Sequence, residues 1–170
     1  MDEVKNRKTT RLLGADYNSA GVYFITICTK DRRQILSNIV GTGVPDGPSV
    51  KLLPHGRIAD KFINQLNDFY DNLSVENYVI MPNHIHMLLF VKESGPSRTP
   101  VPTTIQNSTV SRFISTFKRF CNKEYGYNIW QYRSHDHIIR NKEDLEKHLK
   151  YICENPTTWI FDEFYSEETD

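Results

Sequence analysis

Residues 78–91 read YVIMPNHIHMLLFV, the most apolar stretch of the chain. Apolar residues occupy both alternating faces, as in a strand covered on both sides. Proline has no ladder donor, so Pro82 either precedes the strand or marks a bulge in it. Upstream, residues 22–29 (VYFITICT) are β-branched and aromatic and read as a second strand. Between the two, residues 41–56 hold three prolines and four glycines and read as a loop with one short strand near 50–53. A helix follows, with Ile58, Ala59, Phe62, Ile63, Leu66 and Phe69 on one stripe.

Downstream, residues 92–107 are polar, contain three prolines and read as a connector. A second helix is expected from about Ser108, with Val110, Phe113, Ile114, Phe117 and Cys121 buried and Gly126 ending it. Residues 129–132 and 137–140 read as short strands with a turn between them. A third helix is expected over Lys142–Glu154, capped by Asn141 and stopped by Pro156. Strands with intervening helices and no repeat predict an α+β fold: helices packed on an antiparallel sheet, with ferredoxin-like topology.

The chain has 170 residues, which suits a single domain over 1–170. A domain of this size buries roughly 70% of its unfolded surface and needs no disulfide to fold. Its three cysteines are widely spaced and form no C-x-x-C pair, which excludes a zinc ribbon and reads as reduced thiols in a cytoplasmic protein. No apolar run approaches the ~20 residues of a membrane span. The first residues, MDEVKNRKTTRLL, lack the apolar stretch of a signal peptide.

Net charge is zero. Bases nevertheless gather at Lys5, Arg7, Lys8 and Arg11, at Lys30, Arg32 and Arg33, and along the second helix, while residues 160–170 form an acidic tail. Such runs serve as solvated surface or as a phosphate-binding face.

His84-Ile85-His86 places two imidazoles at i and i+2, on one face of a strand. Two imidazoles so placed suit one divalent ion. A hydrogen-bonded polar pair at a strand end has the same spacing. His135-Asp136-His137 repeats it after Tyr132-Arg133-Ser134, in a segment expected to turn. A turn fixes two side chains less firmly, so the first pair is the better platform and the second is open to phosphate contact or strand capping.

On the third helix, Leu145, Leu149 and Ile152 form the core stripe. His148, Tyr151 and Asn155 form another, rotated away from it. Packed on the sheet, this face would bring Tyr151 and the amide oxygen of Asn155 to the histidine strand. A phenol with an ordinary pKa near 10 is a weak nucleophile but a good leaving group in the reverse step. A phosphotyrosine ester therefore suits cut-and-rejoin chemistry in two steps. A tyrosine merely packed on the sheet fits the same pattern.

YVIMPNHIHMLLF resembles the His-hydrophobic-His strand of single-tyrosine HUH transposases. IWQYRSHDHIIRNKEDLEKHLKYICENP resembles the later part of the REP-associated tyrosine transposases of that superfamily. The motifs stand in the family's order, and with YFITICTKDRRQIL the likeness runs from Tyr23 to Pro156. The resemblance implies metal ligands at His84, His86 and Asn155, a nucleophile at Tyr151, and Mg2+ or Mn2+ as cofactor. It implies cleavage of single-stranded DNA beside a hairpin, of REP or transposon-end type, leaving a 5′-phosphotyrosine. It further implies a monomer or homodimer, nucleoid-associated when on DNA.

Expected DNA contacts are Arg112, Lys118 and Arg119 on the solvent side of the second helix, and Arg133 and Arg140 around the second histidine pair. Tyr132 and Trp130 are candidates for base stacking, Trp130 equally for the core. Two other readings share these residues: a hairpin-binding module that does not cut, and a metal-dependent hydrolase working through water.

Overall fold

The computed structural model describes residues 19–41, 47–93 and 108–165. Within the run at 78–91 one strand begins after Pro82, as one of the two readings of that proline expects, and residues 78–80 belong to a separate strand before it. β4 (Leu73–Ile80) and β5 (His84–Val91) pair antiparallel, and the Met81 amide donates to the His84 carbonyl at 2.9 Å across the reversal. Pro82 sits in this turn, where no ladder donor is required. Residues 73–77 hid the start of β4, because Ser74, Glu76 and Asn77 are polar and a register shift lies between Val75 and Asn77.

β1 (Gly21–Cys28) pairs with β5 on one side and β6 (His135–Ile139) on the other, both antiparallel. The sheet order is β4-β5-β1-β6. α1 (Pro54–Phe69) joins β1 to β4 across a small hairpin, and α2 (Thr109–Tyr125) joins β5 to β6. This is the ferredoxin-like arrangement, with α3 (Lys142–Glu154) added after the last strand.

Side-chain alternation divides the sheet into two faces. Ile25, Ile27, Ile85, Met87 and Leu89 pack against Ala59, Ile63, Phe113 and Phe117 of α1 and α2. Phe24 and Leu88, from the opposite face, pack against Leu145, Leu149 and Ile152 of α3. Covering on both sides explains the unbroken apolarity of residues 87–91.

Capping follows the sequence. Ser108 accepts from the Ser111 amide, Asn141 accepts from the Asp144 amide, and Gly126 ends α2 in the left-handed conformation at φ 82°.

Three sequence expectations need correction. Residues 41–56 do carry the expected short strand, β3 (Ser49–Leu52), but it pairs with an unexpected β2 (Ser37–Val40), and α1 already opens at Pro54, a favoured first helical residue. Residues 129–132 form no strand, only a bridge between Trp130 and Thr29. His135 and His137 lie on β6, not in a turn, because the free edge of β1 orders them. The basic cluster from Lys5 to Arg11, most of the connector at 92–107, and Glu167, Glu168 and Asp170 fall outside the described residues.

Gly56 sits in the first turn of α1 beneath the 36–37 backbone. A Cβ there would stand 2.0 Å from the Leu36 carbonyl oxygen, which accepts from the Leu53 amide. Backbone cannot yield as a side chain can, so Gly56→Ala is expected to destabilise by about 3 kcal/mol, read by urea unfolding. A midpoint unchanged from wild type would refute the close approach.

Candidate metal and tyrosine site

Three buried polar side chains meet where α3 covers the sheet: His84 and His86 on β5, and Asn155 at the end of α3. Each histidine is anchored through Nδ1. His84 Nδ1 donates to Asn83 Oδ1 at 2.8 Å, and His86 Nδ1 meets Thr26 Oγ1 at 2.8 Å. Thr26 is the cross-strand partner of His86, so the strand register itself orients the ring. Both Nε2 atoms lack a hydrogen-bond partner, and so does Oδ1 of Asn155. Buried polar atoms are rarely left so, and three together need an explanation. An acceptor set of two imidazoles and an amide oxygen fits a divalent ion.

The histidine rings lie 4.3 Å apart between centroids, and the Tyr151 ring is 5.1 Å from that of His86. The Tyr151 hydroxyl donates to Oδ2 of Asp162 at 2.9 Å, and the Asn155 amide donates to the same oxygen. Ligand atoms of His84, His86 and Asp162 all lie within 4.8 Å of one another. The four residues singled out in the sequence thus meet, and Asp162 ties them together.

Sequence reading missed Asp162, which it placed in an acidic tail. After α3 the chain turns through a 3-10 turn at Trp159–Phe161 and folds back over the histidines. Phe164 packs against both rings and its carbonyl accepts from Asn83 Nδ2 at 2.8 Å. Its amide donates to Asp162 Oδ1 at 2.7 Å. No local pattern marks such a return. The buried aromatics Trp159 and Phe164 among acids are the one available sign.

Burial keeps both imidazoles neutral. It pushes His84 down to about 3, helped by the Arg32 charge and opposed by the nearby Asn155 amide. Burial likewise pushes His86 well below the usual range, with His84 adding to the effect. Neutral imidazole is the form that ligates metal. The Tyr151 phenol is raised above its ordinary value, first by burial and then by the Asp162 carboxylate that holds its proton.

No family model matches the chain. It is 25% identical to an uncharacterized protein of Haemophilus influenzae, over 95% of this chain and 94% of that one. It is also 25% identical to the REP-associated tyrosine transposase of Escherichia coli K12, over 85% of this chain and 72% of that one. The chain is a homologue of the REP-associated tyrosine transposases. A solved REP-associated tyrosine transposase, bound to a REP hairpin, shares its fold with a TM-score of 0.60 at 20% identity, covering 88% of this chain and 74% of that one.

For a homologue of these transposases, the basic residues are unevenly placed. Arg112 and Arg119 are exposed on α2, which packs on the sheet face away from Tyr151. Lys118 does not face solvent as expected. Its ammonium donates to the carbonyls of Gln131, Tyr132 and Arg133 at 2.8, 3.3 and 3.4 Å and so fastens that loop. Burial lowers it to about 8. Trp130 is a core residue beside Phe117, whereas Tyr132 is 97% exposed. Arg133 and Arg140 are exposed near the ends of β6.

The groove at the tyrosine site is bounded instead by α3. It holds about 560 Å³ between Phe24, His86, Tyr151 and Phe161, with Lys147 and Lys150 on its rim. These two lysines escaped the sequence reading, although Lys147 stands four residues before Tyr151 and Lys150 four before Glu154, on the groove side of the helix.

Proposed function

We propose that the chain is a metal-dependent single-stranded DNA endonuclease and strand transferase that works at hairpin-bearing DNA through a 5′-phosphotyrosine. The observation carrying this reading is the convergence of three unpartnered, buried acceptors, on His84, His86 and Asn155, beside a phenol already bonded to a carboxylate. His84, His86 and Asn155 would hold Mg2+ or Mn2+, with Asp162 in reach as a further ligand. Such an ion polarises a phosphate oxygen and offsets developing charge.

Tyr151 supplies the nucleophilic oxygen. Its proton passes to Asp162 Oδ2, the tyrosine oxygen bonds to phosphorus, and the bond from phosphorus to the 3′-oxygen breaks. The 3′-oxygen takes a proton from solvent and leaves as a free hydroxyl, and the 5′-phosphate stays on the tyrosine. Reversal by another 3′-hydroxyl rejoins the strand. Phe24 and His86 hold the tyrosine ring from the sheet side, at 6.1 and 5.1 Å between centroids.

The test is a labelled hairpin-bearing single strand incubated with Mn2+ and run on a denaturing gel. A covalent protein–DNA band supports the proposal. A native-gel shift with no covalent band points to a hairpin-binding module, and cleavage that survives Tyr151→Phe points to a water-using hydrolase.

Groove geometry sets a further expectation. Lys147→Gln with Lys150→Gln should weaken strand binding and flatten the slope of log K against log salt by about 1.4, the value for two phosphates on a single strand. Arg112→Gln with Arg119→Gln should leave that slope unchanged. The reverse ranking in a salt titration would place the strand behind the sheet.

A further inference from the structure

Beside the tyrosine groove lies a second cluster that the proposed chemistry does not use. His137 extends from β6 on the α3-covered face, and Asp144 and His148 stand one turn apart on α3. Nε2 of His137 is 2.9 Å from Asp144 Oδ2, and Nδ1 of His148 is 3.2 Å from Asp144 Oδ1. The two imidazoles are stacked, with centroids 4.8 Å apart and planes 19° from parallel. One ligand atom from each of the three residues falls within 4.8 Å of the others.

We propose that His137, Asp144 and His148 form a second divalent-metal site, for a late first-row ion such as Zn2+, Co2+ or Ni2+, that clamps the tyrosine helix to the sheet edge. A metal about 2.1 Å from each ligand holds neighbouring ligand atoms about 3 Å apart. The two nitrogen–carboxylate separations already have that value. Two imidazoles and one carboxylate favour these ions over Mg2+. In the metal-free chain the nitrogens turned to Asp144 donate to its oxygens; binding would move each proton to the opposite ring nitrogen or to solvent and free the lone pair for the metal.

Second-sphere support comes from the Arg140 amide, which donates to Asp144 Oδ2 at 3.1 Å. The Asp144 carbonyl, 2.8 Å from His148 Nδ1, accepts from that nitrogen, and a metal there would displace this bond. Side chains of His137, Asp144 and His148 are 44%, 20% and 16% exposed, which leaves an entry path. His148 also lines the groove and lies 4.6 Å from Phe24, which in turn lies 5.1 Å from His86. Occupancy would therefore stiffen the wall on which Tyr151 stands.

Co2+ alone is the probe, followed by its visible absorption and by thermal unfolding of the full chain. Wild type is expected to take up two equivalents, His137→Gln and His148→Gln one each. His84→Gln should keep one equivalent together with a rise in melting temperature of about 5 °C or more at a hundredfold excess over Kd. Both should vanish when His137→Gln is added. Equal Co2+ uptake and equal spectra in wild type, His137→Gln and His148→Gln would overturn the site and leave a plain hydrogen-bonded clamp. That comparison stands even if His84→Gln fails to fold. Only the count of two in wild type rests on the metal site of the proposed nuclease; the loss of one equivalent on changing His137 or His148 does not, so cobalt stoichiometry and the covalent band fail separately.

Discussion

Tyr151→Phe is expected to remove the covalent protein–DNA band entirely, a loss on the order of 10³-fold or more in strand cleavage, while hairpin binding stays within about twofold. Phenylalanine keeps the ring that packs beside Phe24 and His86 and discards only the oxygen. Asp162 loses one donor but retains the Asn155 amide and the Phe164 backbone amide. The fold should therefore weaken by only about 1 kcal/mol, or roughly 2–4 °C in melting temperature. A large loss of cleavage against this small loss of stability would show that the hydroxyl acts chemically. A covalent band persisting in Tyr151→Phe would assign the nucleophile elsewhere.

Acid is the second strong perturbation. His84 is fully buried, and its imidazole falls from an ordinary 6.5 to about 3 in the folded chain. Between those values the unfolded chain binds more protons than the folded one, so stability rises with pH across the window. The contribution is fully present above about pH 6.5 and is lost progressively as pH falls toward 3. At pH 5 the loss from His84 alone is about 2 kcal/mol, from 1.5 units at 1.36 kcal/mol each. His86, lowered in the same direction, adds to it. Together they should drop the melting temperature by at least about 5 °C between pH 7 and 5. Added Mn2+ should steepen the fall, since only neutral imidazole binds metal. Replacing His84 by Gln should flatten the profile. A melting temperature independent of pH over this range would contradict burial of the two rings.

Local signals were enough for the helices. The buried stripe of α2, from Val110 to Cys121, its start near Ser108, its end at Gly126 and the cap at Asn141 stand where short-range pattern put them. Periodicity and capping depend on neighbours within one turn, so sequence carries them directly. The pairing of His84 with His86, and of Tyr151 with Asn155, was legible for the same reason: an i, i+2 step on a strand and an i, i+4 step on a helix each fix a shared face.

Strand boundaries were less legible. The hairpin at Pro82 looked like one strand because its two arms are apolar for different reasons: β5 is covered on both faces, while β4 alternates behind a bulge. The last strand, expected over 137–140, begins two residues earlier at His135, because its order comes from the free edge of β1, at Thr26 and Phe24, far away in the chain.

By itself, then, the sequence determined the three helices, their buried stripes, and the two short motifs that bear the chemistry. Tertiary structure decided that those motifs meet, that α3 and not α2 walls the groove, and that Asp162 returns to hold the tyrosine hydroxyl. The reason is range. Helical and strand periods are set by covalent geometry over a few residues, whereas contact between Tyr151, His86 and Asp162 depends on how the sheet, α3 and the segment after Pro156 pack together, which no local spacing records.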